Sequence, residues 1–428
     1  MSNKVSIFWF RRDLRFEDNV GLHYALKSSN SVLPIFIFDT NILDSLPKDD
    51  HRVSLIYDQL SKLDSILKKY NSSLKILKGN PLELWKMLLK NFSIDEVYTN
   101  IDFEPYAIKR DGEIEKLLLQ SHIKFNKHLD HVIFNPNQVL KNDGSPYTVY
   151  TPFKNKWLAT FNPETNLFDY KPNFTKFTRI AFEFPTRNSL GLEESPIKIK
   201  PYNFSQLEEY ETTRDFPSID STSYLSPYLR FGMVSIRKVV GLALTKNATF
   251  LSELIWREFF IQVLYHFPKV ITNNFRSKYD AIPWRNNEQE FIKWCKGETG
   301  YPLVDAGMRE LNETGYMHNR VRMVTASFLC KHLLIDWKWG EAYFASKLFD
   351  FELASNNGNW QWAAGTGCDA APYFRVFNPS MQLKKFDKQL IYTQKWVKDY
   401  NELTYPKPIV EHKMARERAI STYKLAIQ

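Results

Sequence analysis

The sequence is poor in glycine, the residue that a nucleotide-binding turn needs most. Only 15 of its 428 residues are glycine, and Gly21 is the sole one before Gly79. A G-x-G-x-x-G turn after the first predicted strand is therefore missing, although α/β domains usually hold dinucleotides through such a turn. We do not expect the N-terminal part to grip a ligand through a glycine-rich phosphate loop.

Cysteine is scarcer still, and long apolar runs are missing. Cys295, Cys330 and Cys368 lie far apart with no C-x-x-C spacing, so neither a disulfide framework nor a metal site is expected. No segment approaches the roughly 18 apolar residues of a membrane-spanning helix, and no membrane partner is expected. The first residues, MSNKVSIFWFRRDLRF, lack the cleavage site of a secretory signal. These features predict a cytoplasmic protein.

Positive charge and aromatic rings are what the sequence has in excess. The formal net charge is +9, and 15% of the residues are Phe, Trp or Tyr. The charge alone fits either a mildly basic surface or a polyanionic partner. Arginine beside aromatic residues favours the second alternative, because nucleic acids offer phosphates to arginine and bases to aromatic rings.

The first 130 residues alternate between strand and helix patterns. This alternation predicts an α/β domain with a Rossmann-like parallel sheet and helices on both faces. The predicted strands are 5–10, 32–39, 73–79 and 94–100, and the predicted helices are 51–70, 81–92 and 107–121.

The rest of the chain has a different character. Nine of the 21 prolines fall between Pro136 and Pro217, which is typical of a connector along a surface. Strand patterns almost vanish after Tyr224, and eight of the 11 tryptophans follow residue 250. The predicted organisation is an α/β domain at 1–130, a long connector at 131–200 and an all-α domain at 201–428.

The predicted helix 250–267 carries a candidate site. Glu253, Trp256, Arg257 and Phe260 share one of its faces at spacings of three and four. They form either an intrahelical Glu–Arg pair among core aromatics or the wall of a cavity.

Further candidates follow in the segment GYMHNRVRMVTASF. Asn319, Arg322 and Met323 are expected on one helix face, Arg320 turns away, and Asp350 is a candidate partner for Arg322 because buried arginines need partners. The hydroxyls of STSYLSP, residues 221–227, could hold a phosphate at a helix start or serve only as a helix cap.

The segment SNNGNWQWAAGTGCDAAPYFRVFNP places Trp360 and Trp362 among small and amide residues. Small neighbours allow a large flat group to approach closely. A coil would let the two indoles face opposite ways.

Seven motifs together resemble the cryptochrome/DNA photolyase family, and most closely its bacterial class I cyclobutane pyrimidine dimer photolyases. The match runs nearly from end to end of the chain. The motifs are FWFRRDLRFEDN (8–19), RDFP (214–217), TSYLSPYLRFG (222–232), ELIWREFF (253–260), TGYPLVDAGMR (299–309), GYMHNRVRM (315–323) and ASNNGNWQWAAGTGCDAAPYFRVFNP (354–379).

The resemblance implies an α/β domain joined by a connector to an all-α domain that holds FAD, the large flat group suggested above. It also implies that Asn356 faces the reactive ring nitrogen and that Asp350 pairs with Arg322 over the ring. The residues implied to bind FAD are Tyr210, Thr222, Ser223, Tyr224, Leu225, Ser226, Arg257, Arg322, Asp350, Phe351, Glu352 and Asn356.

The implied reaction is the splitting of cyclobutane pyrimidine dimers in UV-damaged DNA, with an electron from photoexcited reduced FAD. Glu253 would hydrogen-bond the dimer, best if protonated or sharing a proton, and Asn319 would contact the same lesion. Trp256 and Trp362 would flank it, and Met323 would line the pocket. Glu253, Asn319 and Asn356 are the implied catalytic residues.

The same resemblance implies two further sets of residues, one for electron transfer and one for contacts to DNA. Trp360, Trp337 and Trp284 would carry electrons inward to oxidised FAD. Contacts to DNA phosphates would fall to Arg214, Arg320, Arg375 and Gln382.

Some positions depart from the family pattern. Glu352 stands where Asp is common, Phe250 replaces a Trp, and Tyr224 replaces an Arg. Tyr106 and Ala107 stand where folate-binding members have Asn and Glu, so a second antenna chromophore could be folate, a deazaflavin, a flavin or none.

Three rival functions are weighed against dimer repair. A cryptochrome photoreceptor would lack the lesion contacts, which are present here. Repair of (6-4) photoproducts would use histidines where this chain has Asn319 and Met323, and His318 is one residue out of phase. A plain DNA-binding module would not need the hydroxyl cluster. Repair by a monomer is the favoured hypothesis.

Overall fold

The structure is a computed structural model that describes residues 4–428. Residues 1–3, which open the predicted α/β domain and the N-terminal segment discussed above, lie outside the described residues. The chain forms two compact units, the first made of residues up to Val139, Trp157–Tyr202 and Leu225–Thr245, the second of Leu140–Lys156, Asn203–Tyr224 and Lys246–Gln428. Parts of the predicted connector belong to each unit, and the predicted boundaries at 130 and 200 stay predictions.

A five-stranded parallel sheet forms the centre of the first unit. Its strands are β1 (Val5–Phe10), β2 (Val32–Asp39), β3 (Lys75–Gly79), β4 (Ile94–Asn100) and β5 (Lys124–His128), in the order β3-β2-β1-β4-β5. Every pairing is parallel, which confirms the predicted α/β fold. The polar segment KFNKH gave no strand pattern, and it forms the edge strand β5 beside β4 alone.

Helices make up most of the remaining chain. In chain order they are α1 (Val20–Ser28), α2 (Thr40–Leu43), α3 (His51–Lys68), α4 (Pro81–Asn91), α5 (Pro105–Gln120), α6 (Tyr150–Thr160), α7 (Pro163–Asn166), α8 (Tyr210–Thr213), α9 (Ser226–Arg230), α10 (Ile236–Lys246), α11 (Ala248–His266), α12 (Glu288–Lys296), α13 (Pro302–Thr314), α14 (Asn319–Ser327), α15 (Trp337–Lys347), α16 (Leu353–Ala364), α17 (Pro379–Phe386), α18 (Ile391–Trp396) and α19 (His412–Ala426).

Alternate residues of β1 point to opposite faces of the sheet, as the period of two in a strand requires. Phe8 and Phe10 pack with residues of α1 and α3 in one buried cluster. Ile7 and Trp9 pack with residues of α4 and α5 in another. Both faces of the sheet are therefore covered by helices, as a continuous apolar strand predicts.

The second unit is helical, and its described residues include no β-strand. The helix that carries Asn319 and Met323, α14, does not continue into α15, because a π-helical turn at Phe328–His332 follows it. Asp336 then caps α15 by accepting a hydrogen bond from the Lys338 amide. Within residues 4–428, no helix is both long and apolar enough to cross a lipid bilayer.

A buried cluster of charges in the first unit includes Arg15 and Asp18 of the FWFRRDLRFEDN motif. Arg15 donates to both carboxylate oxygens of Asp130 at 2.8 Å, and Arg237 donates to the same carboxylate at 2.9 Å. Arg237 also pairs with Asp18 at 3.1 Å. Burial alone would raise the pKa of Asp130, but the charges of Arg15 and Arg237 outweigh burial and lower it to about 2.

Asp130 predicts how the stability of the first unit depends on pH. Its folded pKa lies below the unfolded value of 3.8, so its contribution is complete above about pH 5 and is lost as the pH falls through 2. Asp130→Asn should cost about 3–5 kcal/mol of unfolding free energy at pH 7, because two arginines stay buried without their full partner. Urea titrations between pH 2 and 7 measure both effects. The exposed Asp95, which pairs with Lys4 at 3.6 Å, is the control, and Asp95→Asn should change stability by less than about 1 kcal/mol. Equal losses in the two variants would contradict the prediction.

Candidate active site

Three helices of the second unit enclose a cavity of about 280 Å³. α11, α14 and α16 supply most of its lining. One further lining residue, Arg214, directly follows α8. The lining residues are Arg214, Glu253, Trp256, Arg257, Phe260, Asn319, Met323, Ser355, Asn359 and Trp362. Five of them, Glu253, Trp256, Asn319, Met323 and Trp362, are the side chains that the sequence assigned to the lesion.

α11 contributes one face to this cavity. Its first turn is capped by Asn247, whose side chain accepts from the Phe250 amide. Glu253, Trp256 and Phe260 then follow on the cavity side, while the opposite face is buried in the core. Phe260 can lie here only because position 358 is glycine: a Cβ at Gly358 would be 2.1 Å from the Phe260 ring.

Glu253 and Arg214 form a charge pair on the cavity wall. Arg214 Nη1 donates to Glu253 Oε1 at 2.5 Å. Burial alone would lower the pKa of Arg214, but the Glu253 carboxylate outweighs burial and raises it. Arg214, predicted to contact a DNA phosphate, also lines the cavity, and its phosphate contact stays a prediction. Glu253 accepts the hydrogen bond of Arg214, and its contact with the lesion stays a prediction.

A second charge pair involves Glu352, whose extra methylene departs from the family pattern. Glu352 is 5% exposed, and Arg257 donates to its carboxylate at 2.9 Å. The Ser355 hydroxyl donates to its other oxygen at 3.1 Å. The longer side chain thus joins α11 to the start of α16.

α14 presents two residues to the cavity, one turn apart. Asn319 is the first residue of the helix, and Met323 lies four residues later on the same face. His318 is the N-cap, and its Nδ1 accepts from the Arg320 amide. Burial lowers the pKa of His318 to about 4, so its ring is neutral at pH 7.

Two arginines of α14 point away from the cavity and pair with carboxylates. Arg320 donates to Asp215 at 2.7 Å, and its guanidinium lies 4.4 Å over the Phe386 ring. Arg322 donates twice to Asp350, at 3.0 and 3.2 Å, which is the partner expected from the sequence.

α16 explains how Trp360 and Trp362 serve different surroundings. The sequence predicted a coil here, and that prediction is wrong, because both indoles lie within the helix. Residues two positions apart on a helix are rotated by about 200°. Trp362 therefore lines the cavity with Ser355 and Asn359, while Trp360 is 2% exposed in the core.

Ser355 and Asn359 were missed from the sequence. They lie seven and three residues before Trp362, so helical spacing would have placed them beside it if α16 had been recognised. The Asn359 amide donates to the Ser355 carbonyl at 2.8 Å, which leaves its Oδ1 as an additional acceptor in the cavity lining.

Asn356 and Trp360 lie on the other side of α16. Asn356 Nδ2 donates to the carbonyl and the carboxylate of Glu341, at 3.1 and 2.9 Å, and burial raises the pKa of Glu341. Trp360 and Trp337 are buried in one apolar cluster, and the half-buried Trp284 packs against it. Along the predicted electron path, Trp360 and Trp337 are both buried, at 2% and 1% exposed, and only Trp284 is half-buried.

The hydroxyl-rich segment is irregular before residue 226, with Thr222, Ser223 and Tyr224 in the second unit and Leu225 and Ser226 in the first. Tyr224 has a φ of 51°, in the left-handed region. The helix that begins at Ser226 has only five residues, so most of these hydroxyls lie on an irregular turn before a short helix.

The donor set around this segment fits a flavin dinucleotide. The buried Ser221 hydroxyl has no partner among the described residues, as expected for a group that binds a phosphate or ribityl oxygen. Tyr224 donates a hydrogen bond to Asp220. The ring centroids of Tyr210 and the buried Phe250 lie 5.2 Å apart. Phe351 is half-buried.

The two remaining predicted DNA contacts lie beyond the cavity lining. Arg375 is exposed, as a phosphate contact must be. Gln382 is half-buried, and its Oε1 has no hydrogen-bond partner among residues 4–428. Their contact with DNA stays a prediction.

In the first unit, Tyr106 occupies one of the positions relevant to an antenna chromophore. Its hydroxyl donates to Asp39 at 2.5 Å, and Arg110 lies 5.6 Å over its ring and 4.9 Å over Trp9. Ala107 is buried. The identity of a second chromophore stays a prediction.

Comparison with known proteins yields consistent matches along the chain. The family model described as DNA photolyase matches residues 6–172, and the one described as the FAD binding domain of DNA photolyase matches residues 250–404. The deoxyribodipyrimidine photo-lyase of a Synechococcus species is 36% identical over 466 residues, covering 97% of this chain and 96% of that protein.

Two solved structures share the fold. A bacterial class III photolyase from Agrobacterium tumefaciens has a TM-score of 0.88 and 32% identity, covering 100% of this chain and 98% of that one. An archaeal photolyase from Sulfolobus tokodaii with two FAD molecules has a TM-score of 0.87 and 34% identity, covering 98% and 100%. The predicted class I affiliation stays a prediction.

The packing of Trp360 depends on a glycine in α15. A Cβ at Gly340 would lie 2.1 Å from the Trp360 ring, so Gly340→Ala should force the indole to move and lower the free energy of unfolding by about 1–3 kcal/mol. Gly112, also inside a helix, has nothing within 4 Å of its would-be Cβ. Gly112→Ala should therefore stabilise by about 0.5–1 kcal/mol. Urea unfolding measures both, and a Gly340 variant as stable as wild type would show that Trp360 is not held there.

Proposed function

The chain belongs to the cryptochrome/photolyase family, and from this membership we propose that it is a deoxyribodipyrimidine photo-lyase, an enzyme of light-dependent DNA repair. Its substrate is UV-damaged DNA that contains cyclobutane pyrimidine dimers. When bound, reduced FAD would lend one electron to the dimer on photoexcitation; the two carbon–carbon bonds that join the bases would break, and the electron would return to the flavin. The observation that carries the proposal is the convergence of Glu253, Trp256, Asn319, Met323 and Trp362 on one cavity.

The cavity suits a dimer that has been extruded from the helix. Its volume of about 280 Å³ lies near the lower end of the range for small-molecule sites, so it admits two fused bases but not a stacked duplex. Trp256 and Trp362 supply aromatic surface for the bases. Damaged bases stack poorly in DNA, which lowers the cost of extrusion and favours the lesion.

The polar lining residues match the hydrogen-bonding edge of pyrimidines. Each thymine offers carbonyl acceptors and one N–H donor. The Asn319 amide can donate to a carbonyl, and Glu253 can accept from a base N–H. Arg214 offsets the charge of the Glu253 carboxylate, so that the pair adds no net negative charge next to a dimer that gains an electron.

The cofactor residues are assigned by the same proposal. Tyr210, Thr222, Ser223, Leu225 and Ser226 hold the phosphates and ribityl chain, and the pairs Arg257–Glu352 and Arg322–Asp350 frame the ring system. Asn356 faces the reactive ring nitrogen, held in orientation by Glu341. The tryptophans Trp360, Trp337 and Trp284 supply electrons to the oxidised cofactor.

The rival functions fit the site less well. A photoreceptor has no use for five lesion-contacting side chains in one cavity. A (6-4) repair site needs a histidine that can reach the lesion, and His318 is used as the N-cap of α14. A monomeric enzyme in the cytoplasm is part of this proposal, and its three cysteines are free thiols.

Illumination of the reduced protein with a dimer-containing thymine oligonucleotide should restore the absorbance of thymine.

Glu253→Ala should retain FAD but lower the repair yield about tenfold. This is the effect of losing one interaction of about 1.4 kcal/mol in the reacting complex. Glu313, an exposed carboxylate outside the cavity lining, is the matched control. A wild-type protein that binds flavin and never splits dimers would contradict the proposal and favour a photoreceptor. Loss of FAD in Glu253→Ala would contradict the assigned role of Glu253.

Arg320→Ala should weaken DNA binding without changing the preference for dimers over undamaged DNA. Removing one phosphate contact should reduce the slope of log affinity against log salt by about 0.9 on duplex DNA. Binding titrations at several salt concentrations measure this slope, and flavin absorbance reports on the cofactor. Lys116→Ala, an exposed residue of α5 in the first unit, is the control for a general charge effect. Loss of flavin in Arg320→Ala would show that Arg320 belongs to the cofactor site instead.

A further inference from the structure

Trp256, one wall of the cavity, is stacked on an aromatic residue outside the cavity. The rings of Tyr150 and Trp256 lie 3.6 Å apart between centroids and are inclined by only 8°. The ring of Phe260 lies 5.4 Å from the same indole at 30°. A nearly parallel stack at 3.6 Å places the tyrosine ring directly against one face of the indole.

Tyr150 is itself fixed at both ends. Its backbone N–H donates to the Asp369 carboxylate at 2.9 Å, and its hydroxyl donates to the Ser252 carbonyl at 2.7 Å. Lys154, one turn later, donates to the Ser252 hydroxyl at 2.7 Å. Burial raises the pKa of Tyr150 far above the neutral range, so its hydroxyl stays a donor. The tyrosine ring is therefore a rigid support.

Tyr150 contacts Trp256 from outside the cavity lining. Trp256 and Phe260 both line the cavity, whereas Tyr150 does not, and it is only 7% exposed. The half-buried indole is thus contacted by the rings of Tyr150 and Phe260, and it lines the cavity with the surface that these two rings leave free.

We propose that Tyr150 is a positioning residue for lesion recognition, which holds the Trp256 indole in the plane that stacks on an extruded pyrimidine dimer. The inference rests on the function proposed above and deepens it. An indole on a long wall of a cavity can rotate about two side-chain bonds, and fixing it before binding removes that entropy cost from the binding step. Tyr150 acts through Trp256 and does not contact the dimer.

The proposal also gives a role to part of the predicted connector. Residues 140–156 belong to the helical unit, although their composition predicted only a surface path. Asp369, which holds the Tyr150 backbone, lies in the loop after α16, between Trp362 and Arg375. The same contacts thus tie the support of Trp256 to the chain segment that carries a predicted phosphate contact.

A double-mutant cycle on the full-length flavoprotein tests the proposal. The dissociation constants for a dimer-containing oligonucleotide and its undamaged counterpart are measured in the dark for wild type, Tyr150→Ala, Trp256→Ala and the double variant. Tyr150→Ala should weaken dimer binding roughly three- to tenfold, the range for an aromatic pair, and leave binding of undamaged DNA unchanged. The double variant should bind dimers no worse than Trp256→Ala alone, because Tyr150 acts only through the indole.

Two further variants separate stacking from filling space. Tyr150→Phe keeps the ring and should bind dimers like wild type, whereas Tyr150→Leu keeps apolar bulk without a flat ring and should lose affinity. They also keep the test decisive if Tyr150→Ala does not fold. Tyr147→Ala is the matched control, because Tyr147 contacts Phe153 and lies in the same segment.

Each outcome has a definite meaning. Unchanged dimer binding in Tyr150→Leu, or effects of Tyr150→Ala and Trp256→Ala that add in full, would overturn the positioning role while the repair function stands. A wild-type protein with no preference for dimers would overturn the proposed function and this inference together. A loss in Tyr147→Ala equal to that in Tyr150→Ala would show a general effect on the segment, which also overturns the proposal.

Discussion

The 100° turn per residue of one helix, α16, is the constraint on which the account depends. Because Trp360 and Trp362 are two positions apart, they point to nearly opposite sides of the helix. One indole lies in the core beside Trp337, and the other lines the cavity with Ser355 and Asn359. A single helix can therefore separate a path for electrons from a site for damaged bases. Glycines allow its neighbours to approach closely, Gly340 beside Trp360 and Gly358 beside Phe260.

Ion pairs around this helix orient side chains more than they stabilise the fold. Arg214–Glu253, Arg257–Glu352 and Arg322–Asp350 all join different segments of the second unit. Arg214 and Glu253 are partly exposed, where a charge pair contributes little net stability, whereas Arg257 and Glu352 are nearly buried and mainly offset the cost of burying each other. What each pair contributes is a fixed direction for the guanidinium and the carboxylate, as a preorganised site requires. In the first unit, by contrast, Asp130 is fully buried, and its pairs are needed to compensate for burial.

Local patterns predicted much of this arrangement. The sheet followed from alternating strand and helix signals, and the cavity face of α11 followed from the spacing of Glu253, Trp256 and Phe260. The helical state of the α16 segment was not predicted, because its asparagines and Gly358 are weak helix formers. Packing around Trp360 holds this helix. The pair Arg214–Glu253 was not predicted either, since it joins residues 39 positions apart and leaves no local sequence pattern. The stack of Tyr150 on Trp256 was hidden for the same reason, because it crosses from the predicted connector to α11.

The separation of roles along α16 can be measured directly by replacing each of its two tryptophans with phenylalanine. Two quantities are compared in both variants: light-driven reduction of the oxidised cofactor, by transient absorption, and dark affinity for dimer-containing DNA. The account predicts that Trp360→Phe abolishes reduction and leaves dimer affinity intact, whereas Trp362→Phe lowers dimer affinity and leaves reduction intact. If both quantities fall together in either variant, the two faces of α16 do not have separate functions and the account is wrong.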